Sequence, residues 1–358
     1  MAFSPFEHPF LSGLLGDEEI APYLSADADI KAMLRFEAAL AEAEARLGLI
    51  PAEAAEDIVA ACDRFEPDVA KLKVAVGQDS VVIPELVKQL RQAVGGTSAE
   101  YVHFGATSQD AIDTSLMLRL KAVRAILLDR LTQIIERLDD LDRRFGSNKL
   151  MAYTRMQAAI SISVHDRIQS WQLPLTRQLS ALKQFEFPVQ FGGAAGTLDK
   201  LGPHGAAVRT ALAAKLGLAD VPQWQNQRDV IAEIGHRLAS VTGAAGKIGQ
   251  DLALMAQSGK EIMTSGGGKS SAMAHKQNPV GAEILVSLSR YNAVQLSGLH
   301  QAMVHEQERS GAAWTLEWLV LPHMVMATAA SLRVGIKTLD RIEQLGINEQ
   351  GSSNSAFN

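Results

Sequence analysis

The sequence predicts an almost entirely α-helical protein. Apolar residues recur at three- and four-residue spacing over long segments, which is typical of helices. Almost no segment alternates apolar and polar residues, and β-branched residues do not cluster, so few strands are expected. With 358 residues, of which 47% are hydrophobic, the chain can bury a large core.

Residues 1–105 are predicted to form a small N-terminal helical domain. Its clearest helix runs from Asp29 to Leu47, and Gly48 and Pro51 would end that helix. Shorter helices follow at about 52–64, 67–75 and 83–94.

Residues 106–345 are predicted to form a central bundle of about five long helices. The first runs from Ser108 to Phe145 and, at 1.5 Å per residue, is about 55 Å long. A small monomeric core does not need a helix of that length, so a bundle shared between subunits is expected. The other predicted helices are Ile160–Phe185 with Pro174 inside it, a shorter one at 204–216, then Gln227–Ser258, Pro279–Glu306 and Ala313–Leu345. Residues 346–358 are predicted to be a polar tail.

The composition argues against several classes of protein. A formal net charge of −6 without a basic face argues against nucleic acid as a partner. The nine histidines lack metal-ligand spacing, so no metal site is expected. The single cysteine, Cys62, excludes an internal disulfide and fits a reducing compartment. We see neither a secretion signal nor a run of about eighteen apolar residues, so a cytoplasmic protein without a membrane partner is expected.

The stretch Ser265–Glu283, SGGGKSSAMAHKQNPVGAE, separates two predicted helices and combines three glycines with polar side chains. A triple glycine packs nothing and costs backbone entropy, so the stretch predicts a mobile lid that carries chemistry, with a flexible connection as the alternative. A phosphate-binding loop is rejected, because Met263 stands where that motif needs its first glycine and a helix precedes it.

Two further polar segments interrupt the helices, GATSQD at 105–110 and YTRMQAA at 153–159. Helix ends offer free N–H groups, so Thr107 and Ser108 are suited to bind a carboxylate. Taken singly, each of these groups could be a surface cap or an ion-pair partner. Together they predict a small polycarboxylate substrate whose charge is neutralised by the cations Arg155, Arg228 and Lys276.

These segments resemble the fumarase/aspartase superfamily. SSAMAHKQNP resembles its signature, and GATSQD and YTRMQAA resemble its first and second conserved regions. Residues 225–239 and 305–322 are similar to the subgroup that contains the adenylosuccinate lyases and the carboxymuconate-lactonising cycloisomerases. The resemblance covers about residues 20–345. It implies a homotetramer with a twenty-helix core, in which three subunits contribute one conserved region each to every active site.

The resemblance also implies roles for individual residues. Ser270 matches the serine that handles the proton beside a carboxylate, and Lys276 and Asn278 match residues that stabilise the enediolate intermediate. Other members place a further C-terminal helical domain after the bundle, which is expected to be largely absent here. The expected substrate-binding residues are Thr107, Ser108, Gln157, Ser271, Asn278, His103 and Arg228.

One departure from the superfamily pattern bears on the reaction. Arg155 occupies the place of the second-region histidine, which in lyases activates water or protonates a leaving group. Lactonisation of a muconate uses the substrate's own carboxylate as nucleophile, which is ionised near neutral pH because its pKa is about 4. This reaction needs positioning and charge control, which an arginine provides. Lys269, in place of the usual glycine, would suit a carboxylate or a sulfonate.

The sequence therefore predicts a cofactor-independent cycloisomerase of protocatechuate-type aromatic catabolism. It would convert 3-carboxy-cis,cis-muconate, or its sulfonated analogue, to the muconolactone, with Ser270, Arg155 and Lys276 as the catalytic residues. Two alternatives stay open. One is an adenylosuccinate-type lyase that uses His103 or His275, and the other is a non-catalytic structural protein on the same fold.

Overall fold

A computed structural model describes residues 4–269, 272–273 and 277–348. Helices account for most of these residues, so the predicted all-α class is confirmed. The α-helices are α1 Ser12–Leu15, α2 Ala26–Arg46, α3 Ala52–Cys62, α4 Val69–Asp79, α5 Ile83–Val94, α6 Ser108–Phe145, α7 Val164–Gln184, α8 Gly205–Leu216, α9 Asp229–Ser258, α10 Val280–Gln301 and α11 Gly311–Leu339. The strands are β1 Lys149–Thr154, β2 Gln157–Ser163, β3 Ile262–Thr264, β4 Gly268–Lys269, β5 Gln277–Asn278 and β6 Ile342–Leu345. Short 3₁₀ helices cover Ala21–Leu24, Ser98–Tyr101 and Asp199–His204.

The N-terminal helices α2 to α5 agree with the sequence prediction. Ser25 caps α2, because its hydroxyl accepts a hydrogen bond from the backbone N–H of Ala28 at 3.2 Å. Helix α2 packs on α3 and also on α6 and α8. The buried core continues from Phe6 in this region to Leu345, so the division of the chain at residue 105 stays a prediction.

In the described part of the chain, five long helices form the bundle, as expected: α6, α7, α9, α10 and α11. Helix α6 begins and ends at the predicted residues. Thr107 forms a capping box with Asp110, whose Oδ2 accepts a hydrogen bond from the Thr107 N–H at 3.0 Å. Helix α9 packs along α10, and α11 packs against α6, α9 and α10.

Glycines allow α9 and α10 to approach closely. A side chain added at Gly235, Gly246 or Gly249 would collide with atoms of α10. The absence of a side chain at these three positions therefore lets the two helices pack closely. Another glycine of α9, Gly243, has no atom of the described residues within 4 Å of an added Cβ.

An antiparallel hairpin of β1 and β2 precedes α7, where the sequence analysis placed the start of a helix at Ile160. That prediction was wrong by four residues, since α7 begins at Val164. Residues 160–163 alternate isoleucine and serine, a strand pattern too short to stand out. Pro174 does lie inside α7, as predicted.

The last two predicted helices are shorter than expected. Helix α10 ends at Gln301 instead of Glu306, and α11 ends at Leu339 instead of Leu345. The chain after α11 forms β6, which pairs with β3 in an antiparallel ladder. The strand pairing takes these backbone groups away from the helix, and Leu345 is buried in the ladder.

Among the described residues, one helix is long and apolar enough by length and composition to cross a membrane, and it is α11. The relevant window is 72% buried within the protein, where α11 packs against three other bundle helices. This burial is the pattern of a core helix. The cytoplasmic location expected from the sequence stays a prediction.

Candidate active site

The first predicted part of the site lies at the N-terminal end of α6. Asp110 ties this end to the loop at 185–198, because its carboxylate accepts hydrogen bonds from Gln190 Nε2 at 3.0 Å and from the N–H groups of Gly192 and Gly193 at 2.8 and 2.9 Å. Burial raises the pKa of Asp110 to about 6, although its hydrogen-bond donors act in the opposite direction. The half-buried Thr107 and Ser108 are therefore held on a rigid support.

Arg309 lies next to Thr107 and was missed by the sequence analysis. Its Nε donates to Gln109 Oε1 at 2.9 Å, and a terminal nitrogen is 3.4 Å from Thr107 Oγ1 and 3.3 Å from the Ala194 carbonyl. Arg309 is exposed and therefore adds a solvent-accessible positive charge beside Thr107. Arg309 lies in the segment 305–322, which resembles the superfamily subgroup, but that resemblance implied no role for any residue of the segment.

His103 precedes α6 by a few residues and has a left-handed backbone with φ of 61°. Its Nδ1 lies 2.6 Å from Oε1 of Glu37 on α2. Burial lowers the pKa of His103, but the charge and hydrogen bond of Glu37, together with the charge of Asp110, raise it further, so the pKa lies above its ordinary value. His103 thus lies four residues before Thr107 and beside a carboxylate that favours its charged form, and its role in anion binding stays a prediction.

Arg228 has a different role from the one predicted. It is 2% exposed, and its guanidinium lies between two buried carboxylates. It donates to Asp113 at 2.6 and 3.2 Å and to Glu317 at 2.8 and 2.5 Å. All three guanidinium nitrogens are used, so Arg228 joins α6, α9 and α11 in the core and is corrected from a substrate-binding to a structural residue.

Arg155 occupies the tip of the β1–β2 hairpin, where φ is 49°. It lines a cavity of about 670 Å³ with residues from the C-terminal end of α9, among them Lys247 and Asp251. Among the described residues, no carboxylate forms an ion pair with the exposed guanidinium. Gln157, at the start of β2, is also exposed. The hairpin tip therefore presents a positive charge and an amide that are available to a ligand.

The third predicted part of the site is the lid, whose two ends are described. Strands β4 and β5 pair, with Gly268 opposite Asn278 and Lys269 opposite Gln277. Asn278 is half-buried beside a cavity of about 90 Å³ near the start of α10. The predicted residues Ser270, Ser271, His275 and Lys276 lie outside the described residues.

Within one chain, the Thr107 end of α6 and the Arg155 hairpin tip lie at opposite ends of the bundle. Asp113 near the start of α6 contacts Arg228 at the start of α9, while Arg155 lies with Leu254 near the end of α9. The 25 residues of α9 between Asp229 and Leu254 correspond to about 40 Å at 1.5 Å per residue. A muconate with six backbone carbons is roughly 8 Å long at ordinary bond lengths. This part of α9 is therefore several times longer than the predicted substrate.

Comparison with known proteins defines the class. Residues 18–292 match the lyase family, and the chain belongs to this family of the fumarase/aspartase superfamily. The resemblance seen in the sequence is thereby confirmed, together with the helical-bundle fold that it implies.

Particular relatives narrow the comparison to one group. The chain is 38% identical over 327 residues to the 3-carboxy-cis,cis-muconate cycloisomerase of Pseudomonas aeruginosa, covering 88% of this chain and 71% of the relative. The crystal structure of 3-carboxy-cis,cis-muconate lactonizing enzyme from Pseudomonas putida matches with a TM-score of 0.86 and 32% identity, covering 94% of this chain and 77% of that one. An N-acetyl-S-(2-succino)cysteine lyase of Enterococcus italicus is 32% identical over 327 residues, covering 88% and 71%.

Proposed function

We propose that the protein is a cofactor-independent cycloisomerase that lactonises 3-carboxy-cis,cis-muconate, or 3-sulfomuconate, in protocatechuate-type aromatic catabolism. The similarity to the cycloisomerases over most of the chain carries this proposal. In the reaction, a carboxylate oxygen of the substrate forms a C–O bond to one carbon of the diene. A proton is added to the neighbouring carbon, so that the product is an isomer of the substrate.

Arg155 is the residue that favours lactonisation over hydration or elimination. Its guanidinium at the hairpin tip, which forms no ion pair with a carboxylate of the described residues, can hold the attacking carboxylate in a forked geometry. An ionised carboxylate needs no general base, and an intramolecular attack gains rate from proximity once the substrate is held in place. The arginine in place of a histidine is therefore a functional substitution in this proposal.

The other predicted residues receive complementary roles. Thr107, Ser108 and His103 bind a second anionic group, and we add Arg309 to this set because of its contact with Thr107. Ser270 delivers the proton, and Lys276 and Asn278 stabilise the enediolate that forms before protonation. Gln157 and Ser271 complete the substrate-binding set.

A homotetramer would bring these parts together. About 40 Å of α9 lies between its start, where Arg228 contacts α6, and Leu254, which lines the Arg155 cavity, and this separation supports a site assembled from several subunits. Large apolar side chains on the outer faces of α9, α10 and α11 support such packing, since Leu254 is 40%, Val294 68% and Leu319 62% exposed in one chain. In this proposal three subunits contribute to each site, and neither nucleic acid nor a membrane is a partner.

The proposal is tested by adding purified protein to 3-carboxy-cis,cis-muconate and following the ultraviolet absorbance of the conjugated diene. We expect the absorbance to fall without added cofactor, and a parallel assay with 3-sulfomuconate establishes which anion is preferred. Arg155→His should lower turnover by roughly a hundredfold through lost positioning. Unchanged turnover in that variant would contradict the role of Arg155.

A second candidate is an elimination reaction, which the similarity to the N-acetyl-S-(2-succino)cysteine lyase favours. Such an enzyme releases fumarate from a succinylated substrate. The discriminating assay is fumarate release from adenylosuccinate and from a succinylated thiol, compared with diene loss from the muconates. Activity on none of these compounds would favour a non-catalytic member of the fold.

A further inference from the structure

The contact between Glu37 and His103 joins the N-terminal helices to the candidate site. Oε1 of Glu37 lies 2.6 Å from Nδ1 of His103. The Glu37 side chain is 2% exposed and that of His103 is 12% exposed. Nε2, the other ring nitrogen of His103, has no hydrogen-bond partner among the described residues and remains available to a ligand.

The backbone fixes this pair in place. His103 adopts φ of 61°, a conformation that is uncommon for residues other than glycine and is found where the surroundings enforce it. Arg91 on α5 helps to enforce it, since a guanidinium nitrogen donates to the carbonyl of the preceding Val102 at 3.0 Å. Gly105 follows with φ of 71°, and the chain then enters α6 at Thr107.

We propose that Glu37 is a positioning residue of the anion-binding site: its carboxylate holds the His103 ring so that Nδ1–H points to Glu37 and a charged Nε2–H is presented to an anionic group of the substrate. This inference rests on the proposed function, because it identifies how the polycarboxylate is bound at the Thr107 end. A carboxylate that accepts from one imidazole nitrogen fixes the tautomer and orientation of the ring.

The charges around His103 agree with this assignment. Glu37 on α2 and Asp110 on α6 both favour the imidazolium, while Arg91 on α5 opposes it. Burial raises the pKa of Glu44, one further buried glutamate on α2, to about 9, so Glu44 is neutral at pH 7. Neither of its carboxylate oxygens has a hydrogen-bond partner among the residues that the structure describes. Glu37 is therefore the carboxylate on α2 that supplies negative charge to the ring.

Glu37 and Glu44 are both buried on the same helix, so Glu44→Gln is a matched control for Glu37→Gln. It distinguishes the loss of the contact with His103 from the general effect of replacing a buried glutamate. Glu37→Gln removes the charge and keeps the side-chain shape. We expect the pKa of His103 to fall by about one unit or more, because an opposite charge at this distance shifts a pKa by about 1–3 units. Binding that needs the imidazolium is present below this pKa and is lost as the pH rises through it.

Hydrogen–deuterium exchange at the imidazole C2 position, read by mass spectrometry across a pH series, measures the pKa of His103 without any ligand or turnover. The wild-type protein and Glu44→Gln should show a value above the ordinary 6.5, and Glu37→Gln a lower one. A wild-type value at or below 6.5, or an unchanged value in Glu37→Gln, would overturn the proposal whether or not the protein is a cycloisomerase.

The kinetic arm tests the consequence for the substrate. In the muconate assay at pH 8, Glu37→Gln should raise KM roughly tenfold and change kcat by less than about twofold, whereas Glu44→Gln should change neither. An equal loss of kcat in both variants would indicate a structural role and overturn the assignment. Absence of turnover in the wild-type protein would reject the proposed function and leave the exchange measurement as the test of the Glu37–His103 pair.

Discussion

Complementation between inactive variants tests whether subunits share the active site. One variant carries Thr107→Val together with Ser108→Ala, and the other carries Arg155→Ala. Each change removes a proposed anion-binding group, so each variant alone should retain roughly 1% of wild-type turnover. In one chain the two altered segments lie towards opposite ends of α9, whose part between Asp229 and Leu254 is about 40 Å long.

The turnover expected in the mixture follows from how the two variants combine in tetramers. In tetramers formed at random from equal amounts of the two variants, half of the Thr107 segments and half of the Arg155 segments are intact. If two different subunits supply these segments to each site, about a quarter of the sites contain both intact segments. Turnover should then rise about twentyfold or more above that of either parent. If a single subunit supplied both segments, no site would be intact.

The assay is diene loss after the two variants are unfolded, mixed and refolded, with the tetramer isolated through different affinity tags. A mixture of Arg155→Ala with Gln157→Ala is the matched control, because both changes lie in the same hairpin and no subunit then supplies an intact one. Recovery in the control mixture, or only the average parental turnover in the test mixture, would refute the shared site.

Three further predictions concern the folded state. Arg228→Met should lower the free energy of unfolding by about 3–5 kcal/mol in urea titrations, because it leaves two buried carboxylates unpaired; a raised KM at wild-type stability would restore the substrate-binding role. Gly249→Ala should lower the free energy of unfolding by about 1–3 kcal/mol, because the added methyl group overpacks α9 against α10. Gly77→Ala in α4 should raise it by about 0.5–1 kcal/mol, because an added Cβ there meets no atom of the described residues within 4 Å. Equal effects of the two changes would argue against the close helix packing. The raised pKa of Glu44 means that its contribution to stability is present below about pH 4.5 and is lost as the pH rises towards 9. Glu44→Gln should therefore reduce the fall in unfolding free energy between pH 5 and pH 8 by roughly 4 kcal/mol, and a pH dependence equal to the wild type would contradict the assignment.

The long helices could be predicted from the sequence because their signals are local. Helix α6 was predicted with the observed bounds, since the capping pair Thr107 and Asp110 marks its start and Gly146 its end. The hairpin before α7 was not predicted, because only residues 160–163 alternate and the pairing of β1 with β2 is a contact between segments. Boundaries that depend on such pairing are not encoded in the periodicity of one segment.

The candidate site could be predicted in part because some of its signals are also local in the sequence. The motifs predict Thr107 and Arg155 as ligand-binding residues, and this stays a prediction; the structure leaves Thr107 half-buried and Arg155 exposed. Arg228 was misassigned because its partners are 115 and 89 residues away, and the sequence shows the charge of an arginine but not the carboxylates that neutralise it. Arg309 was missed because its proximity to Thr107 arises only when α11 packs beside α6.

The identity of the nucleophile is the central chemical claim, and turnover in ¹⁸O-labelled water tests it most directly. If the substrate's own carboxylate attacks the diene, the muconolactone formed from 3-carboxy-cis,cis-muconate carries no ¹⁸O when it is analysed by mass spectrometry. The claim would be contradicted by a hydrated product that carries one ¹⁸O atom, because that result identifies water as the nucleophile.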